Sequence, residues 1–331
     1  MAGEERAYRE GKVMEKGKQT VGRFAPSPSG RMHLGNVFCA LMAWLAARSE
    51  GGRILLRQED LDPQRCLRTN ADMLEQDLLW LGLDWDEGGS REGPHGPYYQ
   101  SERTAIYEEA FQKLQKQGLI YPCFCSRAEL HAGEAPDLTD GLFLYTGRSG
   151  SLTEQEGQTL AKSRRPAARL MVPDETVSFC DLCCGVYREN LAQECGDFLV
   201  RRSDGVFAYQ LAVVVDDALM GVTQVVRGRD LLDSTPRQLY LYHLLQLHAP
   251  EFGHIPLLLA PDGRRLSKRD GALDLGALRK RFSSGEILGF LACAAGLTDR
   301  PEPVSAGDLI PLFAWDKLPR EDIRLPAWLW D

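Results

Sequence analysis

The stretch VGRFAPSPSGRMHLGN, Val21 to Asn36, decides the fold of this chain. A short segment, VGRF, leads into a turn rich in proline, serine and glycine, and HLGN then opens a run whose apolar residues recur at helical spacing. We therefore predict a strand over 21–24 and a helix over 36–48, ended by the glycine pair at 51–52. The next apolar run, Arg53 to Arg57, predicts a strand buried on both faces of a parallel sheet.

The same alternation continues along the chain. Helices are predicted over 71–81 and 103–117, and strand, helix, strand, helix in sequence implies an α/β fold with a doubly wound parallel sheet of the Rossmann type. After an interruption, the core resumes with a predicted buried strand at 213–215, a second at VTQVV, and a helix that Thr235 opens with a capping box and Pro236 in its first turn. IPLLLA, 255–260, predicts the last strand.

The pattern divides the chain into five parts. Between about 121 and 202 it breaks into loops, short strands and clustered cysteines, which indicates an inserted subdomain. The predicted parts are a disordered leader at 1–20, the first half of the Rossmann-like domain at 21–120, the insertion at 121–202, the second half of that domain at 203–260, and a loop with a short C-terminal helical region at 261–331.

Composition narrows the class of protein. The 331 residues carry a formal net charge of −8, which argues against general coating of nucleic acid but permits a local basic face. No apolar run reaches the length of a membrane span, and the charged start lacks the apolar core of a secretion signal. Nine cysteines, an odd number without a regular framework, indicate reduced thiols or metal ligands. We expect a cytoplasmic monomer without a membrane partner.

His33 stands where a ligand of such a sheet binds. Ligands of open parallel sheets lie beyond the carboxyl ends of the strands, and helix N-termini there favour anions. His33 would then lie beside a phosphate-sized anion, and Gly35 would let a base or ribose approach the backbone. The alternative is that His33 merely caps the helix. The short motif alone does not decide between the two.

A second segment, RRLSKRDGA, follows the last predicted strand and carries Lys268 on a loop at the same edge of the sheet. Together the two segments resemble the HIGH and KMSKS signatures of class I aminoacyl-tRNA synthetases, with Asn36 for the final histidine and Arg265 for the first lysine. GRFAPSPSG, LLRQEDLD, FAYQLAVVVDD and VVRGRDLL resemble the glutamyl branch of that class. The resemblance covers roughly residues 21 to 271.

The resemblance implies ATP as a substrate, with Mg²⁺ held largely by the phosphates. His33 and Lys268 are then the catalytic residues, because a hydrogen-bond donor and a cation would stabilise the charge that builds on the phosphates. The residues implied at the ATP site are His33, Gly35, Asn36, Ser267 and Lys268.

The resemblance also implies a pocket for L-glutamate. Arg23 and Arg227 are the candidate partners of carboxylates, because the arginine fork suits that geometry. Glu59 would meet the ammonium, Ala25 and Ser27 would line the turn, and Tyr209 would close the pocket. The alternative is that Arg57, Glu59 and Asp60 form a surface ion pair at a strand end.

Only 60 residues follow Gly271, fewer than the anticodon-reading domains of glutamyl-tRNA synthetases need. The outline resembles the glutamyl-queuosine tRNA(Asp) synthetases, which activate glutamate without tRNA and esterify it onto the cyclopentenediol of queuosine in the anticodon of tRNA(Asp). Three alternatives stay open: a truncated glutamyl-tRNA synthetase, a ligase of the same fold acting on a small molecule, and a non-catalytic RNA or regulatory binder.

The family also implies a zinc site at Cys123, Cys125 and Tyr145. Here Ser149 stands where the fourth ligand, a cysteine, would be, and a hydroxyl is a poor zinc ligand beside thiolates. The sequence thus weighs against bound zinc and leaves it open. FCDLCC could complete a set with C-x-x-C spacing, although buried free cysteines are the commoner explanation. Core or surface roles are expected for the remaining histidines, His95, His131, His243, His248 and His254.

Overall fold

A computed structural model describes residues 5–7, 19–125, 154–266 and 271–330. The strands are β1 Glu5–Ala7, β2 Val21–Phe24, β3 Arg53–Leu56, β4 Glu87–Gly88, β5 Ile120–Cys123, β6 Ala167–Leu170, β7 Thr176–Asp181, β8 Gly185–Asn190, β9 Phe198–Arg201, β10 Gln224–Gly228, β11 Glu251–Ile255, β12 Leu258–Leu259 and β13 Ile323–Arg324. The helices are α1 Leu34–Ser49, α2 Arg68–Trp80, α3 Thr104–Lys116, α4 Glu154–Ala161, α5 Tyr209–Leu219, α6 Thr235–Leu245, α7 Leu275–Leu278, α8 Ser284–Ala294 and α9 Ala306–Leu309.

The central sheet has five parallel strands in the order β11-β10-β2-β3-β4. The first strand of this sheet along the chain is β2, in the middle. The chain then adds β3 and β4 on one side and β10 and β11 on the other. Strand order therefore reverses between β2 and β10, and the crevice outside the carboxyl ends of these two strands is where this type of sheet binds ligands. The predicted doubly wound α/β fold is confirmed.

Apolar side chains cover the sheet on both faces, as the run from Arg53 to Arg57 predicts. Ile54 and Leu56 pack into one core with α1 and the C-terminal helices α7, α8 and α9. Leu55 points into a second core with α3, α5 and α6. Because successive side chains of a strand alternate between faces, a short apolar run is enough to join both cores.

The region between β5 and β9 forms two small sheets. β5, β6 and β9 pair antiparallel, and the hairpin of β7 and β8 pairs with β1. Glu5–Ala7 lie parallel to Thr176–Ser178, so the expectation of a disordered leader is wrong for these three residues. At the other end of the chain, β13 pairs with β12. Among the described residues, no helix combines the length and the apolar character needed to cross a bilayer.

Three sequence predictions of local structure are wrong. Val213–Val215 lie in the helix α5 and not in a strand. The β-branched run favours a strand, but α5 is buried from Gln210 to Asp217, and burial of this kind overrides local propensity. The last predicted strand is split in two at Pro256, which has no N–H to donate to a sheet.

The capping box predicted at the start of α6 is also absent. Ser234 is the residue before the helix, and its side chain makes no capping hydrogen bond. Thr235 instead accepts a hydrogen bond from Arg227, and Gln238 donates one to Gln210. The two side chains are therefore committed to tertiary contacts, while Pro236 occupies the first turn as predicted.

Candidate active site

A cavity of about 780 Å³ opens at the reversal point of the sheet, between the ends of β2 and β10. Its walls come from the turn after β2, the start of α1, the segment after β3, the start of α5 and the segment after β10. Eight residues predicted from sequence line it together, although up to 204 positions separate them: Arg23, Ala25, Ser27, His33, Asn36, Glu59, Tyr209 and Arg227.

His33 caps the helix α1. Its Nδ1 accepts hydrogen bonds from the backbone N–H of Gly35 at 3.1 Å and of Asn36 at 3.3 Å, and Asn36 Oδ1 accepts in return from the N–H of His33. Because Nδ1 accepts, the proton of the neutral ring is on Nε2. Capping therefore fixes the imidazole in the tautomer that can donate from Nε2. Capping and phosphate binding are compatible roles.

Position 35 requires glycine for a steric reason that the sequence did not indicate. A Cβ at this position would lie 3.0 Å from Cε1 of His33 and 3.1 Å from Nδ1, which is closer than side chains normally pack. Glycine thus allows the imidazole to fold back over the helix N-terminus. Gly35 itself is not part of the cavity wall.

Ser267 and Lys268 lie outside the described residues, but both flanks of their loop approach the HLGN segment. On one side, Leu266 Cδ1 lies 3.9 Å from the position of a Gly35 Cβ. On the other, Asp274 forms an antiparallel bridge with His33, and the N–H of Leu275 donates to the carbonyl of Met32 at 2.8 Å. Arg265 lies 3.6 Å from Asp230.

A buried charge network supports the wall that carries Glu59. Arg57 is 0% exposed; its Nη1 donates to Asp217 at 2.7 Å and its Nη2 to Glu59 at 3.1 Å. Asp60 is also buried and accepts from Ser101. The alternative of a surface ion pair at 57–60 is therefore wrong.

Charges within the network set the pKa values of its acids. Burial raises the pKa of Glu59, and the guanidinium groups of Arg57 and Arg23 oppose that rise. Burial also acts to raise the pKa of Asp217, but the same two guanidinium groups hold it below its usual value. Asp217 is therefore ionised at neutral pH and balances the two arginines.

Two arginines, Arg23 at the end of β2 and Arg227 at the end of β10, line the cavity. Arg23 Nη1 donates to the carbonyl of Val226 at 3.2 Å, and its Nε lies 3.4 Å from Asp217. Arg227 Nη2 donates to Thr235 at 2.8 Å, and its Nη1 lies 3.5 Å from the Tyr209 hydroxyl. Burial raises the pKa of Tyr209, which keeps this hydroxyl protonated. With Glu59, these residues bring two guanidinium groups, one carboxylate and one phenol hydroxyl to the cavity, which Arg31, Asp62 and Arg202 also line.

Comparison with known proteins agrees with this geometry. A family model described as "tRNA synthetases class I (E and Q), catalytic domain" matches residues 19–280. A Glutamyl-Q tRNA(Asp) synthetase of Symbiobacterium thermophilum is 53% identical over 310 residues, which cover 92% of this chain and 96% of that protein. This chain belongs to the glutamyl-Q tRNA(Asp) synthetase family of class I tRNA synthetases. It is therefore a ligase of the aminoacyl-tRNA synthetase type.

Other members of the class match a smaller share of their own length. A Glutamate–tRNA ligase 2 of Alkalilimnicola ehrlichii is 48% identical over 82% of this chain and 57% of that protein. The crystal structure of a glutamate tRNA ligase from Elizabethkingia meningosepticum, in complex with its amino acid, is 30% identical with a TM-score of 0.80. It covers 95% of this chain and 68% of that one. The class I synthetase fold is thus shown by structure as well as by sequence.

Of the zinc site that the synthetase family implies, Cys123 and Cys125 lie among the described residues. Arg169 Nε donates to Cys123 Sγ at 3.3 Å, which puts a cation beside a thiol that zinc would need. Tyr145 and Ser149 lie outside the described residues. Across 19–125, 154–266 and 271–330, no three His, Cys, Asp or Glu side chains are grouped to hold a metal ion. Cys180, Cys183 and Cys184 lie on the β7–β8 hairpin, and the expectation of buried thiols is wrong: Cys180 is exposed and the other two are only partly buried.

We expect the purified chain to contain less than about 0.1 equivalent of zinc. Ser149 replaces the cysteine that would be the fourth ligand, and the Arg169 guanidinium already contacts the thiol of Cys123. Mass spectrometry of elements in protein purified without chelators measures this directly. As a control, EDTA should leave the melting temperature unchanged, since a structural zinc contributes to folding. Close to one equivalent of zinc, lost with a fall in melting temperature, would contradict the expectation.

Sequence reasoning missed the parts of the synthetase site that support its cavity wall. Asp217 contacts both Arg23 and Arg57, yet it lies 160 positions from Arg57 in the chain. The available signal was the pair of aspartates at the end of the apolar segment QLAVVVDD, since buried carboxylates need cationic partners. Reading that segment as a strand concealed the signal, because adjacent residues of a strand point to opposite faces.

Proposed function

We propose that this chain activates L-glutamate with ATP and then transfers the glutamyl group to queuosine in the anticodon of tRNA(Asp). The observation that carries the first half is the charge pattern of the cavity. Glutamate has two carboxylates and one ammonium, and Arg23, Arg227 and Glu59 offer two cations and one anion in a single pocket. His33 and Asn36, at the N-terminus of α1, line the same pocket. An anionic phosphate is favoured at such a position.

In the first step, a carboxylate oxygen of glutamate attacks the α-phosphorus of ATP and the bond to pyrophosphate breaks. Little covalent chemistry is required of the protein, so positioning and electrostatic stabilisation account for most of the acceleration. His33 holds a proton on Nε2 that it donates to a phosphate oxygen. Lys268 supplies a cation to the departing pyrophosphate, and Mg²⁺, when bound to ATP, neutralises part of the phosphate charge.

Recognition of glutamate assigns one role to each charged residue. Arg23 and Arg227 bind carboxylates through their guanidinium groups. Glu59, which Arg57 holds from behind, binds the ammonium. Tyr209 closes the pocket beside Arg227, while Ala25 and Ser27 form the turn at the end of β2. We expect aspartate, whose two carboxylates are one methylene closer together, to support less activation than glutamate.

In the second step, a hydroxyl of the cyclopentenediol of queuosine attacks the carbonyl of glutamyl-adenylate. An ester forms, AMP leaves, and the hydroxyl proton is released. The support for queuosine as acceptor is that relatives named Glutamyl-Q tRNA(Asp) synthetase match over nearly their whole length, 95% of the protein of Nitratidesulfovibrio vulgaris for example. A glutamate–tRNA ligase matches over 57% of its length.

One experiment tests both steps. Glutamate-dependent exchange of pyrophosphate into ATP is measured without RNA, with aspartate and glutamine as matched controls, and only glutamate should support it. Labelled glutamate is then offered with tRNA(Asp) that contains or lacks queuosine, and only the modified RNA should be labelled. Exchange with another acid would favour a small-molecule ligase, and charging of tRNA(Glu) would reject queuosine as the acceptor. A non-catalytic binder would show no exchange.

A further inference from the structure

Behind Arg227 lies a buried chain of two hydrogen-bonded groups that the reaction itself does not use. His254 on β11 is 0% exposed and is the register partner of Arg227 on β10. Arg227 Nε donates to His254 Nε2 at 2.9 Å, and His254 Nδ1 lies 2.6 Å from Asp181 Oδ2. Asp181 ends β7, so the chain runs from the hairpin of the insertion to the wall of the cavity.

The proton of His254 can be placed from these contacts. A guanidinium N–H donates and never accepts, so Nε2 of His254 must be the acceptor and the ring proton must be on Nδ1, facing Asp181. Burial lowers the pKa of His254 to about 4, even though the hydrogen bond to Asp181 opposes this change, and the charge of Arg227 acts with burial. The imidazole is therefore neutral at pH 7.

Asp181 is itself fixed in one orientation. Its Oδ1 accepts from the backbone N–H groups of Cys183 at 3.0 Å, Cys184 at 2.8 Å and His254 at 3.1 Å. Burial acts to raise the pKa of Asp181, but the hydrogen bond with His254 and those from the backbone hold it below its usual value. An ionised carboxylate with three donors on one oxygen leaves the other oxygen to His254.

The three nitrogens of the Arg227 guanidinium differ in how firmly the protein holds them. Nη2 donates to Thr235 at 2.8 Å and lies 3.3 Å from the carbonyl of Leu231, and Nε is engaged by His254. Nη1 lies beside the Tyr209 hydroxyl, and both residues line the cavity. The protein thus holds one edge of the guanidinium and presents the opposite end to the cavity.

We propose that Asp181 and His254 are positioning residues: Asp181 fixes the tautomer of His254, and His254 then aligns Arg227 with a carboxylate of the substrate. This inference rests on the proposed function, in which Arg227 binds glutamate. A carboxylate that holds an imidazole in one tautomer is an established device in enzymes, and its loss affects activity through the wrong tautomer. Here the imidazole acts on a substrate-binding arginine instead of on a nucleophile.

The substitution Asp181→Asn tests the tautomer directly. Three backbone N–H groups face one oxygen of residue 181, so the amide oxygen must take that place and the amide NH₂ must face His254 Nδ1. Nδ1 then has to accept, the ring proton moves to Nε2, and two donors meet at Arg227 Nε. We expect the KM for glutamate in pyrophosphate exchange to rise ~10-fold or more, with the KM for ATP changed less than ~2-fold.

Variants of His254 separate its Nδ1 contact with Asp181 from its Nε2 contact with Arg227; the Thr235 hydroxyl also lies 3.2 Å from Nε2. His254→Asn can donate to Asp181 but presents no acceptor to Arg227, so it should raise the KM for glutamate as Asp181→Asn does. His254→Gln places an acceptor near the position of Nε2 and should restore most of the affinity. Glu189→Gln is the matched control, because it converts a buried acid to an amide on the same hairpin, where Glu189 pairs with Tyr187. It should leave both KM values unchanged.

A spectroscopic measurement does not depend on catalysis. Long-range ¹H–¹⁵N spectra report which nitrogen of a histidine carries the proton, and His254→Gln identifies the signal among the six histidines. We expect Nδ1–H in the wild type and Nε2–H in Asp181→Asn. If wild-type exchange with glutamate is absent, the proposed function fails. If exchange is present but the tautomer or the KM for glutamate does not change, or if both KM values rise together, the positioning role is overturned.

Discussion

Arg227→Ala should abolish activation of glutamate while ATP binding survives. Arg227 is buried, and removal of one partner of a buried charge pair typically costs about 2–5 kcal/mol, or roughly 30- to several-thousand-fold in affinity. We therefore expect kcat/KM for glutamate in pyrophosphate exchange to fall by at least ~10²-fold. Equilibrium binding of a non-hydrolysable ATP analogue should remain within ~3-fold of the wild type, since Arg227 is assigned to the amino acid.

Two variants control this result. Arg227→Lys keeps the charge but loses the planar fork and the Nε donor to His254, so it should recover only part of the activity. Arg300→Ala removes an arginine that is 81% exposed and pairs only weakly with Glu302, so exchange should be unaffected. Undiminished exchange in Arg227→Ala would refute the role of this arginine, whereas equal loss of ATP binding would indicate a general collapse of the site.

Much of the fold could be predicted from the sequence, because the deciding signals are local. Proline, serine and glycine between a strand and an apolar helical run indicate a strand-turn-helix unit wherever they occur, and the segment 21–49 follows that rule. The prediction fails where tertiary contacts take over. Val213–Val215 have strand propensity, yet burial on all sides places them in α5. Thr235 is a residue type that often caps a helix, but its hydroxyl accepts a hydrogen bond from Arg227 instead.

The residues of the site also fall into two groups, those that the sequence predicts and those that it does not. Residues proposed to contact substrate, such as Glu59 and Tyr209, occur in recognisable motifs, and the structure brings them to one cavity. Residues that hold those side chains carry no local signal. The contacts of Asp217 and His254 depend on the tertiary fold. His254 meets Arg227 because β11 pairs with β10, and Asp217 meets Arg57 because α5 packs beside the end of β3. Sequence patterns therefore predict the chemistry of this site better than they predict its support.

His33 has two roles that a single substitution can separate. It caps α1 through Nδ1, and in the proposed mechanism it donates to a phosphate through Nε2. Asparagine is a good helix cap but has no imidazole, so His33→Asn should keep the free energy of unfolding within ~0.5 kcal/mol of the wild type. Its exchange rate should nevertheless fall by ~10²-fold, because one preorganised donor to the developing charge is lost.

His33→Ala should show both losses: a similar fall in rate and a decrease of about 1 kcal/mol in the free energy of unfolding, measured by urea denaturation. Ser283→Ala provides the matched control, since Ser283 caps α8 in a capping box with Glu286 and neither residue lines the cavity. It should lower stability by a similar amount and leave exchange unchanged. A wild-type rate in His33→Asn would mean that the imidazole serves only as a helix cap, and the donor to phosphate would then have to be another group at the mouth of α1.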